Sequence, residues 1–329
     1  MGLAGSRRPG RRARDRGQMT GRRLVFAAKL VVSAGLLLFL LHKVQLAPVL
    51  GRLADAGAAP LLAAFAVFLG QMALTALRYA RVGNALGAPM DAATAMRLVL
   101  VGHFFGQALP SAVGGDAVRI WMATRLGIPL GRAASAVLCD RGVAFLVLMA
   151  IALACAPLFL ARIADESARL FLIAPALAVA VAVLAIALAR EANLAWLGAR
   201  GVPNAPLALA RDIRATTRGP GAAAIVALAA AAQLGFIASV WLAARGLGLA
   251  VDLADCLVVM PPVILATLLP VSIAGWGVRE GAMVFGFGLL GVAAADALAL
   301  SILVGLANVL AGLPGAALWL AGRRVSSSG

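Results

Sequence analysis

The chain has 329 residues, 63% of them hydrophobic and 13% charged, with a mean hydropathy of +0.99. A soluble domain is nearer half apolar and a quarter charged, so composition excludes that class and points to lipid as the solvent. The net charge of +16 would suit nucleic acid, but the basic residues stand between apolar runs and no basic helix is interleaved with aromatics, which excludes a nucleic-acid partner.

Residues 1–23 hold eight arginines between Arg7 and Arg23 and read as a disordered cytoplasmic arm lying against anionic headgroups. The arm has the charge of a signal-peptide start, but the run after it lacks a clear small-residue cleavage site and reads as a retained first helix. From there to 321 the chain reads as a single transmembrane domain. Apolar runs of the length that crosses a hydrocarbon core, about 20 residues, lie at 24–42, 58–77, 136–160, 169–189, 221–243 and 297–321. They are continuous rather than alternating, which selects helices over a closed barrel, the two structures that satisfy every backbone polar group in lipid. Two shorter segments, 93–109 and 254–270, each end in Leu-Pro before a Gly-rich stretch, the pattern of broken or re-entrant helices. A short cytoplasmic tail, 322–329, follows. The expected fold is an all-α membrane protein with six full transmembrane helices plus two broken elements; eight transmembrane helices are the alternative.

Charge bias orients the chain. With both termini cytoplasmic, the inner segments hold 20 Lys and Arg residues and the outer segments six, the asymmetry of the positive-inside rule. An internal repeat accompanies it. Leu109-Pro110-Ser111-Ala112-Val113-Gly114-Gly115-Asp116-Ala117-Val118-Arg119 aligns without gaps to Leu269-Pro270-Val271-Ser272-Ile273-Ala274-Gly275-Trp276-Gly277-Val278-Arg279, and the flanking spans follow at a similar offset. Half-repeats of 24–168 and 169–321, each with three crossings and one broken element, must be inverted relative to one another. Many transporters are built so, with the substrate at the repeat interface.

Three sites carry charge next to apolar runs. Pro110 ends a helix, Gly114 and Gly115 loosen the backbone, and Asp116 and Arg119 share a face if a short helix starts there. Near such a start, free N–H groups and Arg119 form an anion site. Asp140-Arg141 interrupts an apolar run, where ions are costly unless paired or turned to a wet cavity. Pro270, Gly275, Gly277, Arg279 and Glu280 form the counterpart of the first signature, with Trp276 as an interfacial anchor. Gln71, Gln233 and Asn308 suit interhelical hydrogen bonds, and Arg97 and His103 can line a cavity on the first broken segment. Cys139, Cys155 and Cys256 read as core residues, and two histidines far apart make no zinc site, so no metal or cofactor is expected.

These residues resemble the flippase-like membrane family whose best-known member is the transmembrane region of lysylphosphatidylglycerol synthase. The resemblance rests on Leu109-Pro110 with Gly114, Gly115, Asp116 and Arg119, then Asp140-Arg141, then Pro270, Gly275, Gly277 and Glu280. It implies a bacterial inner-membrane protein that moves a phospholipid, hopanoid or polyprenyl-linked lipid between leaflets; for such a lipid, Arg119, Arg141 and Arg279 are the candidate headgroup partners at the repeat interface. No soluble aminoacyl-transfer domain and no Walker A sequence accompany it, so lysyl-lipid synthesis and ATP-driven pumping by this chain are not expected. A membrane-embedded transferase using Asp116, Asp140 and Glu280 is one alternative. A non-catalytic partner of a lipid-synthesising enzyme is the other.

Overall fold

A computed structural model describes residues 46–109, 114–162, 204–219, 221–268 and 274–326. The expected spans 24–42 and 169–189, the arm 1–23 and the turns at Pro110 and Pro270 lie outside them. Among the described residues there are eleven helices and no strand: α1 (Leu46–Ala54), α2 (Ala58–Ala85), α3 (Ala92–Ala108), α4 (Gly114–Arg125), α5 (Leu130–Ala154), α6 (Ala156–Arg162), α7 (Asn204–Arg218), α8 (Ala222–Gly246), α9 (Leu253–Leu268), α10 (Val278–Gly288) and α11 (Ala294–Ser326). Four are long and apolar enough to cross a membrane: α2, α5, α8 and Ala294–Ala321 of α11. The chain is therefore an all-helical, multi-pass membrane protein.

Local chemistry sets the ends. Pro60 stands in the first turn of α2, where a missing N–H is harmless, and Asp91 caps α3 by accepting from the Thr94 N–H at 2.8 Å. The expected spans differ at their margins. Helix α2 continues past 77 to Ala85, so Arg78 and Arg81 lie within the helix. Helix α5 starts at Leu130, and the run that follows it breaks at Cys155 before α6. Helix α11 extends to Ser326, into the expected tail.

The order long, short, short, long occurs twice, as α2–α5 and as α8–α11. Helices α2 and α8 each end in Leu-Gly with the glycine at positive φ (Gly87 +70°, Gly248 +66°). In both, the next N–H reaches back into the last turn, Ala88 to Gly83 O at 2.8 Å and Leu249 to Ala244 O at 3.0 Å. Helices α4 and α10 end alike, at Gly127 and Gly291, with Ile128 bonded to Ala123 O and Val292 to Phe287 O.

Helices α2 and α8 form the most extensive helix pair. They run antiparallel, since the Gly57 N–H donates to Gly246 O at 2.7 Å at one end while Gly235 faces Gln71 further along. Helix α3 also runs antiparallel to α11, with Gly315 against Leu100 and Gly312 against Phe104. Two main cores result. One, with Tyr79, Leu98, Ala123 and Val137, binds α2 to α5; the other, with Ile237, Met260, Phe287 and Leu300, binds α8 to α11.

Candidate functional site

Charges cluster where α2, α4 and α5 meet. Asp140 on α5 is 1% exposed and divides its two oxygens between guanidiniums: Arg78 Nε donates to Oδ1 at 2.8 Å and Arg119 Nη2 to Oδ2 at 3.3 Å. Asp116 on α4 accepts from Arg141 Nε and Nη2, each at 3.0 Å, and more weakly from Arg119 Nη1 at 3.4 Å. Arg119 lies over the Tyr79 ring, 4.0 Å from its centroid, in a cation–π contact. The arginines at 78 and 119 are buried, whereas the Arg141 side chain is 58% exposed.

Close helix packing seats Arg119. A Cβ on Gly115 would stand 2.2 Å from Gly102 O, so α3 and α4 touch at bare backbone. A Cβ on Gly102 would stand 2.5 Å from Arg119 Cγ, so that glycine makes room for the arginine stem. Gly114 packs against the Leu109 side chain.

The second cluster lies at the start of α10. Arg279 Nη2 donates to Glu280 Oε1 at 2.5 Å, Ser301 Oγ on α11 donates to the same oxygen at 3.2 Å, and Arg279 Nε also reaches Ser301 at 3.3 Å. Glu280 Oε2 accepts the Gly277 N–H at 2.5 Å, so the carboxylate closes the first turn of its own helix. Gly277 sits at φ +87°, which a side chain rarely adopts, and Gly275 at +79° precedes it. Arg279 lies 4.6 Å from the Trp276 ring centroid, and Gly305 leaves the space both occupy. This pair is buried, Arg279 at 7% and Glu280 at 0%, rather than part of an outer solvated segment.

The structure thus brings Asp116, Arg119, Asp140 and Arg141 into one network and Gly275, Gly277, Arg279 and Glu280 into another. No hydrogen bond joins the two among the described residues. Between them His103 Nε2 lies 3.0 Å from Asn308 O, bridging α3 to α11; Arg97, by contrast, is exposed. Four participants escape a reading of the sequence: Arg78, Tyr79, Ser301 and Gly305. Only the first pair left a signal, because the Leu86-Gly87 cap places Arg78 and Tyr79 inside α2.

A family model described as the lysylphosphatidylglycerol synthase TM region matches residues 26–315 and so takes in both clusters. The chain belongs to that family. Compared with curated proteins one by one, it matches none. Membership in the lysylphosphatidylglycerol synthase TM-region family makes it a lipid-related membrane protein, in agreement with the four membrane-length helices.

Proposed function

We propose that the protein moves a lipid between the two leaflets of a bacterial inner membrane, with both termini cytoplasmic. The observation that carries this reading is the ion network of Arg78, Asp116, Arg119, Asp140 and Arg141, with Arg78, Arg119 and Asp140 buried, on membrane-spanning and short helices. Charges at membrane depth are costly, and where they persist they mark paths for polar cargo. The doubled helix order supports two half-repeats. Since α2 and α8 hold equivalent places and run antiparallel, the halves are read as inverted, each with its own broken segment at Pro110 or Pro270. Rocking of one half against the other would expose the site to each leaflet in turn. The headgroup would travel past Gly114, Gly115, Asp116, Arg119, Asp140 and Arg141 on one side and Gly275, Gly277, Arg279 and Glu280 on the other, while acyl chains stay in lipid.

Engagement of the carboxylates argues against a transferase. Asp116, Asp140 and Glu280 each accept hydrogen bonds from guanidinium groups, which occupies their oxygens rather than leaving them free to take a proton from a substrate. Purified protein in liposomes with fluorescent phospholipid, hopanoid or polyprenyl-linked lipid tests the proposal. A membrane-impermeant quencher should bleach beyond the outer-leaflet fraction only when protein is present. Bleaching no faster than in empty liposomes, or conversion of the lipid to a new product, overturns it.

A further inference from the structure

Histidine is the side chain whose unperturbed pKa, about 6.5, lets it gain a charge near neutral pH. The chain has two, His42 and His103. His103 is partly buried on α3, at the seam with α11. Its partner there, the backbone carbonyl of Asn308 at 3.0 Å, can only accept, so Nε2 carries the proton of the neutral ring and donates it. The Phe68 ring of α2 stands 6.4 Å away between centroids, and Gly312 of α11 packs on the Phe104 backbone one residue further on. Hydrocarbon and one carbonyl thus meet the ring from α2 and α11.

The charges on the surrounding helices do not supply a counter-ion. Helix α2 has no charged residue between Ala58 and Arg78, α11 has none between Asp296 and Arg323, and α3 itself adds Arg97. On α4, Asp116 is bonded to Arg141 and Arg119, and the Arg119 stem lies against Gly102, the neighbour of His103. On α5, Asp140 is bonded to Arg78 and Arg119, and Arg141 follows it. Tyr79, the remaining titratable group of α2 on this side, lies under Arg119. A proton taken from water at Nδ1 therefore creates a cation that the seam cannot solvate and that water can.

Helix α11 is built to bend beside this contact. Pro314 has no N–H, so the Leu310 carbonyl loses its partner within the helix, a common cause of a kink. Just beyond it, a Cβ on Gly315 would stand 2.1 Å from Leu100 O, so α11 rests there on the bare backbone of α3. That contact is a pivot. Asn308 lies on the other arm, which can swing away from His103 while Gly315 stays seated.

We propose that His103 is a proton-binding site that gates the protein. Neutral, it latches α3 to α11; protonated, it releases the latch and admits water between the two sets of four helices. The proposal rests on the lipid reading above and adds its regulator, the proton.

The test uses the full-length protein in nanodiscs, with Cys139, Cys155 and Cys256 replaced by alanine and spin labels attached through Ala108→Cys on α3 and Leu310→Cys on the swinging arm, both exposed positions. Electron paramagnetic resonance should show the labels moving apart between about pH 8 and about pH 5. His103→Gln keeps an N–H for Asn308 but does not titrate, and should hold them at the alkaline separation. In liposomes, corrected against empty liposomes at each pH, lipid exchange by the wild type should rise on the order of tenfold over the same interval, while His103→Gln stays at the alkaline rate. With His42→Gln a single imidazole remains, and its nitrogen resonance should titrate with the midpoint of the label movement. Labels that do not move with pH, labels that move equally in His103→Gln, or a midpoint that departs from the imidazole titration each overturn the latch. The last comparison decides the matter even if His103→Gln fails to accumulate. Label movement governed by His103 without lipid exchange keeps the latch and removes the transport function; exchange with labels indifferent to pH does the reverse.

Discussion

Replacing Asp140 by Asn removes the carboxylate that two buried guanidiniums share. At an effective dielectric constant of about 20, the attraction across 2.8 Å to Arg78 is about 6 kcal/mol and across 3.3 Å to Arg119 about 5 kcal/mol. Desolvation of the three ions offsets much of this, at several kcal/mol each. What remains after the substitution is two positive groups, each about 4% exposed, facing a neutral amide. The expected loss is about 3–5 kcal/mol, the range for breaking a buried pair by removing one partner. Arg78→Met is the informative comparison, because Asp140 keeps Arg119 and the thioether fills most of the stem's volume; its cost should be roughly half as large. Reversible unfolding in mixed micelles, followed by tryptophan fluorescence, measures both. If Asp140→Asn costs less than about 1 kcal/mol, the network does not hold the helices as described. If Arg78→Met costs more than Asp140→Asn, the sharing of one carboxylate by two arginines is wrong.

Gly115→Ala should separate α3 from α4, since its Cβ meets Gly102 O at 2.2 Å, and lower both melting temperature and lipid movement; Gly106→Ala, with nothing within 4 Å, should leave both unchanged. Outside the membrane-spanning helices, Arg162 holds Asp252 below the usual carboxylate range. A lowered carboxylate stabilises fully above its unfolded pKa of about 4 and loses that contribution as pH falls through the folded value. Melting temperatures of wild type and Asp252→Asn should therefore differ above pH 5 and converge in strong acid, and a gap that widens on acidification contradicts the sign. For orientation, cysteines placed at Ser6 and Ser327 should be protected from an impermeant thiol reagent in intact cells and one at Asp165 labelled; the opposite pattern inverts the topology.

Much of the scaffold is legible in residues because membrane helices are dictated locally. Continuous apolar runs locate α2, α5, α8 and α11, and the Leu-Pro endings locate the ends of α3 and α9 within two residues. The short helix at Gly114 follows from the same punctuation. Helix ends marked by polar residues are less legible, because a charge interrupts a hydropathy run without interrupting a helix: Arg78 closes the apolar stretch, yet α2 continues to its Leu86-Gly87 cap. Pairing is the least legible. Neighbouring charges suggest Asp116 with Arg119 and Asp140 with Arg141, but the shortest contacts join Asp140 to Arg78 and Asp116 to Arg141, across helices. Adjacent residues on a helix point about 100° apart, so Asp140 turns inward while Arg141 turns to the surface, and the partner of each is chosen by the helix it faces. Ser301 and Gly305 left no signal of their own, since small residues on an apolar helix look alike until a guanidinium is set against them.

The Arg78–Asp140 pair also bears on how the protein is made. Its members are 62 residues apart, so at about 5–20 residues per second the ribosome delivers the carboxylate roughly 3–12 s after the arginine. An unpaired arginine at the centre of an inserting helix costs about 2.5–3.5 kcal/mol, which snorkelling toward the headgroups reduces. Helix α2 is therefore expected to enter the bilayer displaced toward the surface on its Arg78 side and to settle when α5 brings Asp140. On this expectation insertion of the first half has two stages timed by translation, and slowing synthesis between residues 85 and 130 should prolong the interval in which α2 is exposed to quality-control proteases.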